Sequence, residues 1–208
     1  MSRPTVYLAG PMVFYPNPDD IFSAMKATCA RRGLIGLSPL DRQTELAAVK
    51  PGHDLAVRIV RADIALMREV DAGVFCLDGF RRSPEMDPGT AFEIGYMHAL
   101  GKPLAGWTRD PRDYLTRVRD YFRERHDPPP TLEPQAGTGA RSGVSRDVDG
   151  ILVHSEGCYQ NAMTQIGIEL SGGQVFADTD WEKAFESAVI ALADILLGAS
   201  RQGKRAIA

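Results

Sequence analysis

Glu93 stands in the segment Asp87-Pro-Gly-Thr-Ala-Phe-Glu93-Ile-Gly-Tyr, a carboxylate among mostly apolar neighbours. A buried carboxylate is costly unless it is paired or put to use. Glycines at 89 and 95 let a backbone or a ligand come close on either side. Asp87 before Pro88 reads as a helix N-cap with proline in the first turn, which puts Glu93 about one and a half turns into that helix. The helix dipole is expected to favour the ionised form that a nucleophile needs. Asp71, Asp78 and Asp87 form a second constellation around the apolar run 72–77. Glycosyl transfer needs a carboxylate and a carboxylic acid flanking one cleavable bond, one displacing the leaving group while the other protonates it. Plainer roles compete: a salt-bridged Glu93, an Asp87 that only caps, an Asp78-Gly79 turn.

The elements that must hold these groups alternate between apolar runs and helical spacing. Thr5–Ala9 is a short apolar run ended by Gly10-Pro11, and 12–18 reads as a loop. Ile21, Phe22, Met25 and Cys29 recur at helical spacing behind Asp19-Asp20, and Gly33 closes that helix. Strands are expected at 34–37, 72–77, 103–107 and 174–177. Helices are expected at 53–69, from Asp87 to Leu100, within 110–125, near 159–169 and from Asp180 to about Leu197. This order predicts a single α/β domain over 1–208: a three-layer sandwich with a mostly parallel, flavodoxin- or Rossmann-like sheet of about five strands flanked by helices. Residues 126–148, rich in Pro, Gly and Ser, read as a mobile insertion, and 201–208 as a solvated tail. Ligands bind beyond the carboxyl ends of such strands.

Three motifs in this order, Tyr7-Leu8-Ala9-Gly10-Pro11-Met12-Val13-Phe14, Asp71-Ala-Gly-Val-Phe and Asp87-Pro-Gly-Thr-Ala-Phe-Glu93-Ile-Gly-Tyr, resemble the nucleoside 2-deoxyribosyltransferase family, most closely its trypanosomatid branch. The resemblance extends to Asn161-Ala162-Met163 and leaves out the 126–148 insertion and the tail. It implies an enzyme that moves a 2-deoxyribosyl group between nucleobases through a covalent sugar–glutamate intermediate. Glu93 would be the nucleophile, with Tyr7 bonded to it, and Asp71 would manage the proton of the base. Asp87 would bind a sugar hydroxyl. Gly10, Pro11, Met12 and Phe14 would border the substrate, and Met12, Phe14 and 41–43 are candidates for reading the base. Asn161 and Met163 would reach the sugar from a neighbouring subunit of a homo-oligomer. No metal or organic cofactor is implied. One alternative is a hydrolase of nucleosides or their 5′-monophosphates, whose members tend to carry serine at the position of Asp87. The other is a non-catalytic nucleotide-sensing module.

Composition narrows the classes. A net charge of −3 without long runs of one sign argues against a nucleic-acid binder. Cys29, Cys76 and Cys158 are odd in number and far apart, so disulfides and metal are not expected and a reducing cytoplasm is the expected home. No apolar stretch approaches the roughly 20 residues of a membrane helix. His98, five positions after Glu93, points elsewhere on its helix and reads as structural, and His154 is left unassigned.

Overall fold

The computed structural model describes residues 2–205 apart from 44–45, 47–48, 126–144, 148–149 and 154–155; of 199–205 it describes the backbone only. Five parallel strands form one sheet: β1 (Thr5–Ala9), β2 (Ile35–Leu37), β3 (Ala72–Cys76), β4 (Leu104–Thr108) and β7 (Val175–Ala177), in the order β2-β1-β3-β4-β7. This is the flavodoxin-like winding, and its strand order reverses between β1 and β3, where a crevice opens at the carboxyl ends. The pairing sets Tyr7 opposite Gly73 and Ala9 opposite Phe75.

Period-two alternation divides the strand residues between two cores. Val6, Leu8, Val74, Cys76 and Trp107 pack with helices α1 (Pro18–Arg31) and α6 (Trp181–Arg205). Tyr7, Ala9, Phe75 and Leu77 face the other way, toward α2 (His53–Glu69), α3 (Pro88–Ala99) and α5 (Ala162–Leu170). Tyr7 is thus a fully buried phenol on the α2–α3 side, and that placement decides which acids it can meet.

Local signals explain most boundaries. Asp87 caps α3, its side chain accepting from Thr90 N, with Pro88 in the first turn. Asp113 caps α4 (Tyr114–Arg123) in the same way. The loop expected at 12–18 begins instead as a 3-10 turn, Pro11–Phe14. A second one, Pro39–Arg42, lies between β2 and α2. Of the expected insertion, 126–144 lies outside the described residues, but Ser145–Arg146 (β5) pairs antiparallel with Leu152–Val153 (β6). Helix α6 runs through Arg205, further than the expected end near Leu197; Leu192 and Leu196 continue its apolar stripe. Residues 206–208 and His154 lie outside the described residues.

Candidate active site

Helix α3 turns Glu93 toward the sheet, where the Tyr7 hydroxyl donates a 2.6 Å hydrogen bond to Glu93 Oε1. The residue as a whole is half-buried, while its carboxyl is enclosed. Burial pushes that carboxyl up to about 8; the Tyr7 bond works against the rise, and the charges of Asp63 and Asp87 add to it. The dipole was expected to keep Glu93 ionised, but its influence fades within the first turn. Glu93 is the sixth helical residue of α3, so desolvation wins. Tyr7 itself is held protonated, far above its ordinary value, by burial first and then by Glu93 and Asp63.

The third member of the group is Asp63, from the middle of α2. Burial raises its carboxyl to about 6, against a hydrogen bond from the Gln43 side chain. Its Oδ1 is buried without a hydrogen-bond partner among the described residues. Neither Asp63 nor Glu93 has an ion-pair partner among those residues. Asp63 therefore lies close enough for its charge to act on Glu93, and with the two carboxyls at about 6 and about 8 the pair holds one proton between those values.

Of the other candidates, Asp87 is the one whose charge reaches Glu93. Asp87 is buried and uses one oxygen, Oδ2, to accept from both Thr90 N (2.9 Å) and Thr90 Oγ1 (3.0 Å). It is thus a cap, and it is also a charge felt by Glu93. Gly10 follows β1 where the chain passes so close to β3 that a Cβ would lie 2.6 Å from Cys76 Cβ; only glycine fits. Pro11 and Met12 are buried beside it, Met12 in the α1–α6 core. Phe14 is 61% exposed and tilts against Phe80 at 5.3 Å, an open aromatic pair next to the turn.

Asp71 does not join them. It lies at the starting edge of β1 and β3, exposed, with its Oδ2 accepting from Thr5 N (2.7 Å) and Thr5 Oγ1 (2.9 Å). Its charge acts on Lys102, whereas the charges acting on Glu93 are those of Asp63 and Asp87. The correction follows from strand polarity: a residue that precedes a parallel strand sits at the end away from the ligand crevice. Asp78, at the proper end, is fully engaged. Its oxygens accept from Thr108 Oγ1, Arg109 N and Arg109 Nε at 2.5–2.9 Å. Asn161 caps α5, its side chain accepting from Met163 N, and Met163 is 84% exposed. His98 bonds Ser171 at 2.8 Å, away from Glu93.

A model of the nucleoside 2-deoxyribosyltransferase family matches residues 6–163. The chain belongs to this family. A Schizosaccharomyces pombe protein described as uncharacterized is 45% identical over 190 residues, covering 91% of this chain and 89% of its own. Among solved structures, the 2-deoxyribosyltransferase of Leishmania mexicana superposes with a TM-score of 0.58 at 29% identity, over 89% of this chain and 97% of that one. That likeness agrees with the trypanosomatid branch of the family. A conserved protein of Enterococcus faecalis shares the fold, with a TM-score of 0.53 at 18% identity over 90% and 97% of the two chains.

Within a nucleoside deoxyribosyltransferase framework, Asp63 is the residue that sequence reasoning overlooked. A signal was present: Ile59, Asp63, Leu66 and Met67 share one face of an amphipathic helix, so Asp63 interrupts the inward stripe. A cavity of about 870 Å³ lies elsewhere, past the carboxyl ends of β3 and β4. Its arginines 109, 112 and 117 are mostly consumed by Asp78, Asp110 and Asp120. Among the described residues no group of three His, Cys, Asp or Glu could hold a metal ion. None of the described helices is long and apolar enough to cross a membrane.

Proposed function

We propose that the chain transfers a 2-deoxyribosyl group between nucleobases by two displacements at one carbon, with Glu93 as nucleophile and Asp63 as the acid–base group. The observation that carries this reading is the Tyr7–Glu93 bond beside Asp63, with the two acids at about 8 and about 6. The ionised Glu93 attacks C1′ and the C1′–N bond breaks. Its electron pair leaves with the base, which takes a proton from Asp63. An incoming base attacks C1′ and gives its own N–H proton to the Asp63 carboxylate, and the ester to Glu93 breaks, which regenerates both acids.

The first step needs the shared proton on Asp63, while the empty site favours it on Glu93. A positively polarised sugar over Glu93 would move it across, with the Tyr7 hydroxyl supporting the resulting carboxylate. Asp87, with Oδ1 free of its capping bonds, suits a sugar hydroxyl. A carboxylate at that position repels a phosphate dianion, which favours free nucleosides over 5′-monophosphates. Phe14 and Phe80 offer a stacking surface for the base.

The outer face of α3 and α5 supports a homo-oligomer. Phe92, Met163, Ile166 and Leu170 are exposed there on helices that pack together, an apolar patch of the kind that marks a contact surface. A second copy on that face would bring Asn161 and Met163 to the neighbouring site. Leu170→Lys should then shift the assembly to monomers in light scattering and weaken transfer; an unchanged mass and rate would remove the shared site. The reaction is tested by incubating the protein with deoxyinosine, with and without adenine. Deoxyadenosine should form, and a 2-fluoro-deoxynucleoside should add one sugar mass to the peptide holding Glu93. Free deoxyribose appearing at the same rate with and without adenine would make the protein a hydrolase.

A further inference from the structure

The connection from β3 to α3 is a short hairpin. Gly79 and Met86 form an antiparallel bridge, and Phe80 N donates to Glu85 O at 2.8 Å. The tip turns over Phe80–Ser83 and is closed by Ser83 N donating to Phe80 O at 2.9 Å. Its two central residues, Arg81 and Arg82, have φ of 51° and 64°, which makes the turn type I′. Such turns are normally built from asparagine and glycine, because larger side chains are strained in the left-handed region. A pair of arginines does not pre-form this tip, so contacts from outside must hold it.

The buried contacts converge on one atom, the Pro84 carbonyl oxygen. It accepts from Arg117 Nη2 at 2.6 Å and from Gln160 Nε2 at 3.0 Å. Gln160 is fully buried, and the rest of its amide is spent nearby. Nε2 also donates to Leu77 O at 3.4 Å, and Oε1 accepts from Asn161 N at 3.1 Å. Glutamine supplies the two donors and the acceptor that this place needs, and the opposite orientation of the amide would set its oxygen against two carbonyls. Arg117 also ties α4 to Tyr159 O and Asp110. The Gln160 amide, by contrast, bonds only the end of β3, the hairpin and the start of α5. The remaining holds, Tyr114 on Glu85 and Arg125 on the Arg82 carbonyl, are exposed and therefore weaker.

We infer that Gln160 is a positioning residue for base binding: by holding the Pro84 carbonyl it keeps the strained hairpin closed and Phe80 against Phe14. The inference rests on the proposed transfer reaction, in which the base stacks on that aromatic pair. Phe80 lies at the neck of the hairpin, 5.3 Å from Phe14 between ring centroids, so opening of the tip moves one half of the stacking surface. Glu93 and Asp63 stand on α3 and α2, outside the hairpin. Loss of the clamp should therefore weaken the hold on the base and spare the chemical steps.

Gln160→Met keeps the length of the side chain and removes all three bonds. In transfer from deoxyinosine it should raise KM for adenine about tenfold, with kcat within about twofold of wild type. Arg82→Gly, which relieves the left-handed φ, should bring KM of the double variant back toward the wild-type value. A KM that Gln160→Met leaves unchanged, or that Arg82→Gly fails to restore, makes Gln160 a packing residue and overturns the inference. The strain itself is read without touching Gln160, so the test survives a Gln160→Met that does not fold. Arg82→Gly should melt at a higher temperature than Arg82→Ala, the reverse of the usual order; an alanine variant as stable or more so means a relaxed turn that needs no clamp. Wild type that makes no deoxyadenosine sinks the reaction and the positioning role together, whereas active wild type with an unchanged KM in Gln160→Met sinks the positioning role alone.

Discussion

Two acid-rich regions of this molecule treat their carboxylates in opposite ways. Past the carboxyl ends of β3 and β4, Asp78, Asp110 and Asp120 are each matched to arginines 109, 112, 117 or 123. Asp110 sits below its ordinary value there; burial raises it, and bonds and charge from Arg112 and Arg117 outweigh that. Between α2, α3 and β1, Asp63 and Glu93 are half-buried with no cation bonded to them among the described residues, and desolvation raises both toward neutrality. Paired acids at fixed charge build structure; unpaired acids near neutrality can pass a proton. The contrast supports the second region as the proposed reaction centre.

The largest test of that contrast is Glu93→Ala, expected to lower kcat/KM for transfer by about 10³-fold or more, as loss of a covalent nucleophile does. Near-normal transfer would leave the two regions indistinguishable. Asp63→Asn comes next, with a loss of roughly 10²- to 10⁴-fold for a base that needs a proton to leave. The pH profile sharpens the assignment. Below about 6 both acids carry protons and the nucleophile is lost; above about 8 both are ionised and the proton for the base is lost. The wild-type profile of kcat/KM should therefore be a bell between those limbs, and Asp63→Asn should lose the alkaline limb. A bell that Asp63→Asn leaves unaltered would point to another proton donor.

The paired region should respond in stability instead. Arg117 is a buried guanidinium donating to the carbonyls of Tyr159 and Pro84, each at 2.6 Å, with Asp110 beside its Nε. Arg117→Met should cost about 3–5 kcal/mol in denaturant unfolding, with kcat per folded molecule little changed. A collapse of kcat in a stably folded variant would tie this region to catalysis. Glu93→Gln probes the other region through the pH dependence of thermal stability. The folded carboxyl titrates near 8 against an ordinary 4.5, so its ionisation opposes folding progressively as pH rises through that window. The variant should match wild type in Tm near pH 4 and exceed it near pH 9; equal values at pH 9 would mean that Glu93 is not desolvated.

Much of this was readable from residue order. The alternation of apolar runs with helical stripes gives the five-stranded sheet, and Asp87-Pro88 marks the start of α3 because capping chemistry is local. Tyr7 and Glu93 stand out because each is a polar group within an apolar segment. Asp71 stands out in the sequence because it sits beside a core strand, although strand polarity puts it at the end away from the ligand crevice. Asp63 escaped notice because an aspartate in an amphipathic helix normally faces water; only packing of α2 against β1 and α3 turns that position inward. The β5–β6 pair is two residues long on each side, below the length at which alternation carries a signal.

Asp87 bears on how such a protein could change its diet. The oxygen that starts α3 could equally be a serine hydroxyl, since serine ranks with aspartate among N-caps. Exchanging the two would keep the helix anchored while erasing a negative charge next to the reaction centre. Under the proposed reaction, a shift from neutral sugars to phosphorylated ones would need one residue exchanged, on a route that keeps the start of the helix intact.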